Sequence, residues 1–235
     1  MDHTVARVSS GFVRIPEGWF DMGCHDGRED ERPVHRVWVD AFELAVFPVT
    51  ERQYADFLVA TSHEPPRDWP ATPARDTFPV VGVSWFDANA YCAWLATRGL
   101  QGRLPTEAEW ERAARGHLEG AAYPWGDAIP SWVPNAGRGS LDGPWAVTLG
   151  EPNDFGVYGI AGNIHEWCAD WYDGRYYATS PERNPQGPPG GSRRASRGGS
   201  WRHAWTVSRC ATRSRIDPSF RYTDYGFRVA RSAPP

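Results

Sequence analysis

The residues best suited to chemistry are concentrated near the C-terminus, in the segment 197–230, where arginines and aromatic side chains occur together. Guanidinium groups pair well with carboxylates and phosphates, so this segment could hold an anionic ligand. The arginines concerned are Arg202, Arg209, Arg213, Arg215, Arg221 and Arg228. The aromatic residues, which could line a peptide groove or belong to the core, are Trp201, Trp205, Phe220, Tyr222 and Tyr225.

The backbone of this segment carries two further signals. The pair Gly198-Gly199 permits a close approach of the chain or a positive φ. The run 226–230 (GFRVA) predicts a short closing strand. We therefore expect the function to depend on where this segment meets the rest of the chain.

Composition excludes several classes of protein. The 235 residues include 24 Gly, 21 Pro and 13 Trp, which predicts a loop-rich fold with little secondary structure. A net charge of −4 provides no overall field that would favour nucleic acid. No apolar run approaches the roughly 18 residues of a membrane span. The N-terminus lacks the apolar core of a signal peptide, so the sequence predicts a cytoplasmic location.

The four cysteines are Cys24, Cys92, Cys168 and Cys210, and none of them forms a CxxC pair. Their spacing matches neither a zinc knuckle nor a disulfide framework. We therefore expect buried, reduced thiols.

Regular structure is predicted for a minority of the chain. Capping boxes that begin at Thr50, Ser84 and Thr106 predict three helices. Apolar patterns predict two strands separated by a turn at 12–23 and further strands at 34–44, 79–83 and 162–167. The stretch 116–159 shows almost no periodicity, and such a long irregular segment usually has a functional or metal anchor.

Eight motifs occur in the order seen in formylglycine-generating enzymes. They are 18–23 (GWFDMG), 48–50 (PVT), 83–88 (VSWFDA), 103–111 (RLPTEAEWE), 123–127 (YPWGD), 162–167 (GNIHEW), 197–201 (RGGSW) and 226–228 (GFR). The chain thus resembles a sulfatase-modifying-factor domain over residues 11–232, preceded by an N-terminal extension at 1–10. The resemblance implies a single α+β domain with a variant of the C-type lectin fold, little secondary structure and bound calcium. It also implies that one arginine in Gly-Phe-Arg and one in Ala-Arg-Ser are buried scaffold pairs.

The resemblance does not imply a single activity. The same fold serves copper oxidases that convert a substrate cysteine to formylglycine, iron sulfoxide synthases, retroelement-diversified ligand binders and relatives without known chemistry. The sulfoxide synthases take their histidine ligands from a separate helical domain that this sequence does not contain, so we do not expect that role. Trp205 argues against diversification, because the mutable codons of the diversified proteins cannot yield tryptophan.

Copper does not match the residues found here. The oxidases bind copper(I), a soft ion suited to thiolates, through two cysteines shortly after the Gly-Gly-Ser segment. By resemblance these positions fall on His203 and near Trp205, and the stretch 201–207 contains no cysteine. Cys210 matches a later cysteine of the family that is structural.

The resemblance also bears on disulfides. Two disulfides brace the animal enzymes, and Cys92 and Cys210 each match one half of a pair. The partner positions are Ala114 and Val229, so both thiols should be free. Free thiols agree with a reducing compartment.

By resemblance, His165 occupies a position of the oxidase cleft that is usually tryptophan, so it could face His203 with Ser200 nearby. Two histidines could bind a metal or transfer protons. Two ligands without a carboxylate or a third histidine make a poor metal site, so we expect polar cleft residues instead. The expected ligand contacts of this cleft are Trp201, Arg202, Trp205 and Arg215.

Calcium is the cofactor that the resemblance implies, because irregular loops supply the oxygens it needs. One site would use the side chains of Asn135 and Asp142 with the carbonyls of Ala136 and Pro144. A second would use Glu166 with carbonyls near Gly159, Gly162 and Ile164. The family usually has Asn or Asp in place of Gly159, which should weaken the second site. The alternative is that the two carboxylates only bond loop amides.

Three classes of function follow, in this order. The first is a family member without copper–cysteine chemistry that binds a peptide or protein, or regulates one. The second is an enzyme that uses a different metal, or none, at His165, Ser200 and His203. The third is a copper oxidase that recruits Cys24 or Cys168 as ligands.

Overall fold

The computed structural model describes residues 11–69 and 75–234, and coil makes up most of that length. In chain order the regular elements are β1 (Phe12–Ile15), β2 (Gly18–Met22), β3 (His35–Val39), β4 (Phe42–Ala45), α1 (Glu51–Thr61), α2 (Trp85–Thr97), α3 (Glu107–Arg115), β5 (His165–Trp171), β6 (Arg194–Arg197), β7 (Ser214–Ile216), β8 (Tyr225–Gly226) and β9 (Ala230–Ser232). The predicted mixed fold with little secondary structure is therefore confirmed. The predicted extension at 1–10 lies outside the described residues.

Each helix begins at its predicted capping box. The hydroxyls of Thr50, Ser84 and Thr106 accept a hydrogen bond from the backbone N–H three residues later, and the side chain at that later position bonds back. These reciprocal bonds satisfy donors that a helix leaves free in its first turn. None of the helices in the described part of the chain is long and apolar enough to span a membrane.

The strands form three small sheets. β1, β4 and β9 form the first, and β2 pairs with β3 in the second. The third has the order β7-β6-β5-β8, in which β5 and β8 run parallel and the other pairs are antiparallel. The parallel pair matters for function, because it places the start of β5 beside the residues that precede β8.

Two predicted strands are wrong in extent. The segment 34–44 is divided between β3, which pairs with β2, and β4, which pairs with β1 and β9, so one alternating pattern spans two sheets. The segment 79–83 forms only an isolated bridge between Pro79 and Thr50, although Val80 and Val83 are buried. A positive φ of 75° at Gly82 takes the chain out of extended geometry there.

Two predicted strands near the cleft, 162–167 and 226–230, also differ from the bounds that the sequence pattern predicts. β5 begins only at His165, because Gly162 has a φ of 85°. The predicted closing strand at 226–230 is interrupted. The Phe227 carbonyl accepts from the Val49 N–H in a loop, and the Val229 carbonyl accepts from the Ala45 N–H at the end of β4. The segment is thus anchored by hydrogen bonds without forming one continuous ladder.

Most arginines of the predicted anion patch are already paired. Arg213 bonds both oxygens of Glu107, and Arg228 bonds both oxygens of Glu166, so these two are scaffold pairs as the resemblance implies. Arg221 pairs with Asp87 and Arg209 with Glu31. These four arginines are therefore structural, and only Arg202 and Arg215 of the six are expected ligand contacts.

The carboxyl of Asp170 is buried beside that of Glu107, and its pKa leads to a testable pH dependence of stability. Burial and the neighbouring charge of Glu107 raise the pKa of its carboxyl to about 8. The folded protein therefore holds a proton that the unfolded chain releases near pH 4, and this contribution to stability is lost as the pH rises through about 8.

We expect Asp170→Asn to gain stability relative to the wild type as the pH rises from 5 to 8, by about 2–4 kcal/mol. The amide keeps an acceptor for the Glu107 N–H, which donates to Asp170 Oδ2 at 2.8 Å. Urea unfolding of both proteins at the two pH values measures the difference. If the difference in free energy of unfolding between the two proteins does not change with pH, the Asp170 carboxyl is not protonated in the folded protein as we expect.

Candidate functional site

The candidate site lies where the turn after β6 meets the start of β5 and the residue before β8. His165 is the first residue of β5, and its N–H donates to the Asp224 carbonyl at 2.9 Å. Gly198 and Gly199 have the expected positive φ angles, 99° and 68°, and turn the chain into Ser200. The turn is closed by the His203 N–H, which donates to the Ser200 carbonyl at 3.0 Å.

The side chains of the site form one connected cluster. The Ser200 hydroxyl donates to Asp224 Oδ2 at 2.8 Å, and its oxygen lies 3.2 Å from His203 Nδ1. The rings of His165 and His203 meet edge to face with centroids 5.2 Å apart. One potential ligand atom from each of His165, His203 and Asp224 lies within 4.8 Å of the others. We call these three residues the His–His–Asp centre.

Asp224 corrects the expectation that the two histidines have no carboxylate partner. Sequence reasoning missed it because Asp224 lies 24 positions after Ser200, with which it bonds. The sequence does show an acidic residue shortly before the predicted closing strand. It gives no neighbour for that strand, so it cannot show that Asp224 lies beside the histidines. With a carboxylate present, the argument against a metal at the two histidines no longer holds.

His165 is in the state that a metal ligand requires. Its side chain is buried, with 7% of the residue exposed. Burial lowers the pKa of the imidazole to about 4, with the nearby Asp224 acting in the opposite direction. The ring is therefore neutral at neutral pH, and its buried Nδ1 has no hydrogen-bond partner among the described residues. Tyr225 stacks on the ring at 4.6 Å and fixes its orientation.

A cleft of about 520 Å³ is lined by residues adjacent in sequence to the centre, although none of His165, His203 and Asp224 lines it. Trp201 and Arg202, both predicted as ligand contacts, line it together with Thr223, the residue before Asp224. Arg202 is exposed and makes no ion pair with any described residue, so its charge is available to a ligand. This volume suits a small molecule or a few residues of a peptide.

Two of the predicted cleft residues lie elsewhere. Trp205 is buried and packs against Tyr123 and Trp125 in a separate apolar cluster. Arg215 lies on β7, where it bonds the Tyr172 hydroxyl and lines a different groove. Trp205 and Arg215 are therefore not ligand contacts of this cleft. Packing and strand register, rather than nearness in sequence, decide where these side chains lie.

The predicted exposed aromatic cluster is also mostly buried. Trp201, Trp205 and Tyr225 belong to the interior. Phe220 and Tyr222 remain 49% and 46% exposed, and their rings meet edge to face at 5.7 Å.

A copper(I)–thiolate centre does not fit this chain. Cys92, Cys168 and Cys210 are buried and Cys24 is half-buried, and all four are unpaired in the described chain. Burial raises the pKa of the Cys168 thiol, which disfavours the thiolate that copper(I) needs. Neither Cys168 nor Cys24 is part of the His–His–Asp centre. A copper oxidase that uses either of them as a ligand at this centre therefore does not fit the structure.

The two predicted calcium sites differ in how well their residues fit. Asn135 and Ala136 have positive φ angles of 53° and 50°, which curl the loop. The Asn135 side chain uses its N–H to bond the Gly139 carbonyl at 2.8 Å, which leaves its oxygen for a cation. Asp142 is exposed, and the described chain offers its carboxylate no partner. The side-chain oxygens of both residues are thus without a partner in the described part of the chain.

The second site does not fit as predicted. Both oxygens of Glu166 bond Arg228, at 2.9 and 3.1 Å, and Oε2 also accepts from the Trp110 indole at 2.8 Å. A guanidinium at this distance competes with a cation for the same oxygens. Glu166 is therefore corrected to a scaffold residue, which leaves the carbonyls near Gly159, Gly162 and Ile164 without a side-chain partner for calcium.

The fold and the ordered motifs together define a domain of the formylglycine-generating type. The chain matches the family described as "Sulfatase-modifying factor enzyme 1-like domain" over residues 3–233, and it belongs to that family. The predicted family is thereby confirmed.

Three similar proteins can be compared with this chain. The chain is 35% identical over 245 residues to "Serine/threonine-protein kinase pkn1" of Chlamydia pneumoniae, a match that covers 96% of this chain and 38% of that relative. It is 34% identical over 290 residues to the "Formylglycine-generating enzyme" of Streptomyces coelicolor, covering 97% and 91%. The structure of PvdO from Pseudomonas aeruginosa superposes with a TM-score of 0.81 at 28% identity and covers 94% of both chains. This chain thus spans little more than a third of the chlamydial relative, and the fold agrees with the predicted one.

Proposed function

We propose that this protein is a metal-dependent enzyme of the family that works without copper–cysteine chemistry. His165, His203 and Asp224 would hold one divalent transition-metal ion. The observation that carries the proposal is the convergence of one ligand atom from each residue within 4.8 Å. Bonds of about 2.0–2.2 Å to zinc or similar ions place ligand atoms about 3–4 Å apart, so closure by about 1 Å completes the site.

The donor set indicates what the ion would be. Two imidazoles and one carboxylate suit iron(II) and zinc(II), and they leave coordination positions open for a substrate or water. The metal would supply Lewis acidity or redox chemistry at those positions. The cleft lined by Trp201 and Arg202 would bring the substrate to them.

The residues of this chain have separate tasks in that proposal. Burial keeps His165 neutral, and stacking on Tyr225 holds its ring in place. Ser200 holds Asp224 through the hydrogen bond to Oδ2 and leaves Oδ1 for the ion. Ser200 is therefore a positioning residue in our account, since it acts through Asp224.

Ser200→Ala is expected to weaken zinc(II) binding 10- to 100-fold, the usual cost of losing a hydrogen bond to a metal ligand. Isothermal titration of purified protein, first freed of metal, measures this effect. The matched control is Ser219→Ala, because Ser219 makes the same type of bond to Asp217 at 2.6 Å on the surface. Equal affinity in Ser200→Ala and wild type would contradict the positioning role.

A binding or regulatory module for a peptide or protein is the second candidate. The exposed rings of Phe220 and Tyr222 favour it, because exposed aromatic side chains are typical of protein contacts. The two candidates differ in metal content. Protein that takes up calcium alone, and neither zinc(II) nor iron(II), would favour the binding module over the enzyme.

A copper oxidase is the third candidate and the least supported. Protein loaded with copper(I) and given a Cys-x-Pro-x-Arg peptide should form no formylglycine, since the described thiols do not meet at the centre. Formation of formylglycine would restore this candidate.

We also propose that the loop from Asn135 to Asp142 binds calcium. In this proposal the protein is cytoplasmic and contacts neither nucleic acid nor a membrane. The loop supports the centre: the Ser140 N–H donates to the Arg202 carbonyl at 3.3 Å. At Gly139 a Cβ would come within 2.3 Å of the His203 carbonyl, so the two segments are in close contact. Calcium would therefore stiffen the turn that carries His203.

Saturating calcium is expected to raise the melting temperature of the wild type by about 5 °C or more, since a ligand at 100 times its Kd stabilises by about 2.7 kcal/mol. Asp142→Ala should lose most of this increase. Differential scanning fluorimetry with calcium and with chelator measures both proteins. An equal increase in the two would contradict the predicted ligand.

A further inference from the structure

A second concave surface lies where the loop 24–34 faces the segment 172–178. It encloses about 1310 Å³ and shares no lining residue with the cleft beside the centre. We call it the arginine groove, after the four arginines in its lining. Its charged lining consists of Arg28, Arg32, Arg175, Arg215, Glu29 and Asp30.

The charge of this groove is opposite to that of the whole protein. Four guanidinium groups face two carboxylates, and His25 adds a further basic group to the lining. The whole chain carries a net charge of −4. A local excess of positive charge on an acidic protein marks the surface that attracts anions.

Asp30 organises two of the arginines. Its carboxylate accepts two bonds from Arg28, at 3.1 and 2.8 Å, and one from the Tyr172 hydroxyl at 2.6 Å. Arg215 lies 3.5 Å from the same carboxylate, donates to the Tyr172 hydroxyl at 2.9 Å and stacks on its ring. The side chains of Arg28 and Arg215 nevertheless stay 51% and 46% exposed, so each is oriented and still accessible to a ligand.

Arg32 and Arg175 supply charge that the described chain does not neutralise. Both are exposed, and neither side chain makes an ion pair with a described residue. Pro33, Val34 and Ala178 lie among them in the lining and offer apolar contacts. Arginine mixed with apolar surface is typical of places where another protein binds.

We propose that the arginine groove binds an acidic segment of a partner protein, rich in Asp and Glu and with apolar residues between them. Guanidinium groups pair with carboxylates in a forked geometry. The volume exceeds the usual range of small-ligand sites, which favours an extended chain. Glu29 and the net negative charge of the protein disfavour nucleic acid, which presents many closely spaced phosphates. The proposal is independent of the His–His–Asp centre.

The test measures binding of a fluorescein-labelled ten-residue peptide of alternating Glu and Leu by fluorescence polarisation at low salt. Arg32→Glu with Arg175→Glu should weaken binding at least 10-fold, since both side chains are free and their loss leaves the fold intact. The matched control is Arg52→Glu with Arg98→Glu, which changes the net charge equally at exposed positions outside both concave surfaces and should stay within twofold of wild type.

The competing ligands are a Lys–Leu peptide and a single-stranded DNA of equal length. Tight binding of the Glu–Leu peptide that only the groove variant loses supports the proposal. Absence of binding to the wild type, an equal loss in both double variants, or tighter binding of the DNA or the Lys–Leu peptide overturns it. Circular dichroism of each variant confirms that it is folded.

Discussion

Asp224→Ala is expected to lower the affinity for zinc(II) at least about 100-fold, because even the loss of a residue behind a metal ligand costs 10- to 100-fold. The substitution removes the only carboxylate that joins the two histidines among the described residues. It also leaves two imidazoles, which are too few ligands for a stable site. The measurement is isothermal titration under the conditions used for the wild type.

The controls for Asp224 separate metal binding from folding. Asp217→Ala removes an exposed aspartate of the same segment, which bonds Ser219 and is not part of the centre. Its affinity should equal that of the wild type. Asp224→Asn keeps an acceptor for the Ser200 hydroxyl and loses the charge, so it should fold and still bind weakly. If Asp224→Ala binds zinc(II) as well as Asp217→Ala does, the metal lies elsewhere.

Arg197→Met is expected to destabilise the protein by about 3–5 kcal/mol, the cost of breaking a buried ion pair by removing one partner. The Arg197 side chain is fully buried and bonds Glu107 at 2.8 Å and Glu111 at 2.9 Å. It also donates to the Tyr177 hydroxyl and the Cys210 carbonyl, both at 2.8 Å. Methionine leaves Glu111 Oε2 and the Cys210 carbonyl without a donor in the interior, whereas Glu107 keeps its two bonds from Arg213.

Urea unfolding of Arg197→Met and the wild type measures this loss. Arg52→Met serves as control, because Arg52 and its partner Asp56 are both about 60% exposed and such pairs contribute little. Arg197→Lys keeps a charge without the forked geometry and should fall between the two. A loss below about 1 kcal/mol in Arg197→Met would contradict the role of this residue as the centre of the buried network.

The parts of the fold that depend on local chemistry could be predicted from the sequence. The three capping boxes needed only residues three positions apart, and all three helices begin there. The positive φ angles of Gly198 and Gly199 likewise follow from the residue type. The ordered motifs identified the family and placed Ser200, His165 and His203 in one region.

The parts that depend on distant segments could not be predicted. Asp224 reaches the histidines because β8 runs parallel to β5, and no local pattern shows that pairing. Arg215 lies in the arginine groove because of the register of β7. Glu166 was assigned to calcium because a motif position cannot show that Arg228 bonds its carboxylate.

The most direct test of the central claim is anomalous X-ray diffraction from crystals of the protein loaded with zinc(II) or iron(II). We expect one anomalous peak per chain, about 2.0–2.2 Å from ligand atoms of His165, His203 and Asp224. No peak at this position, or a peak only at the Asn135–Asp142 loop, would contradict the proposed metal centre.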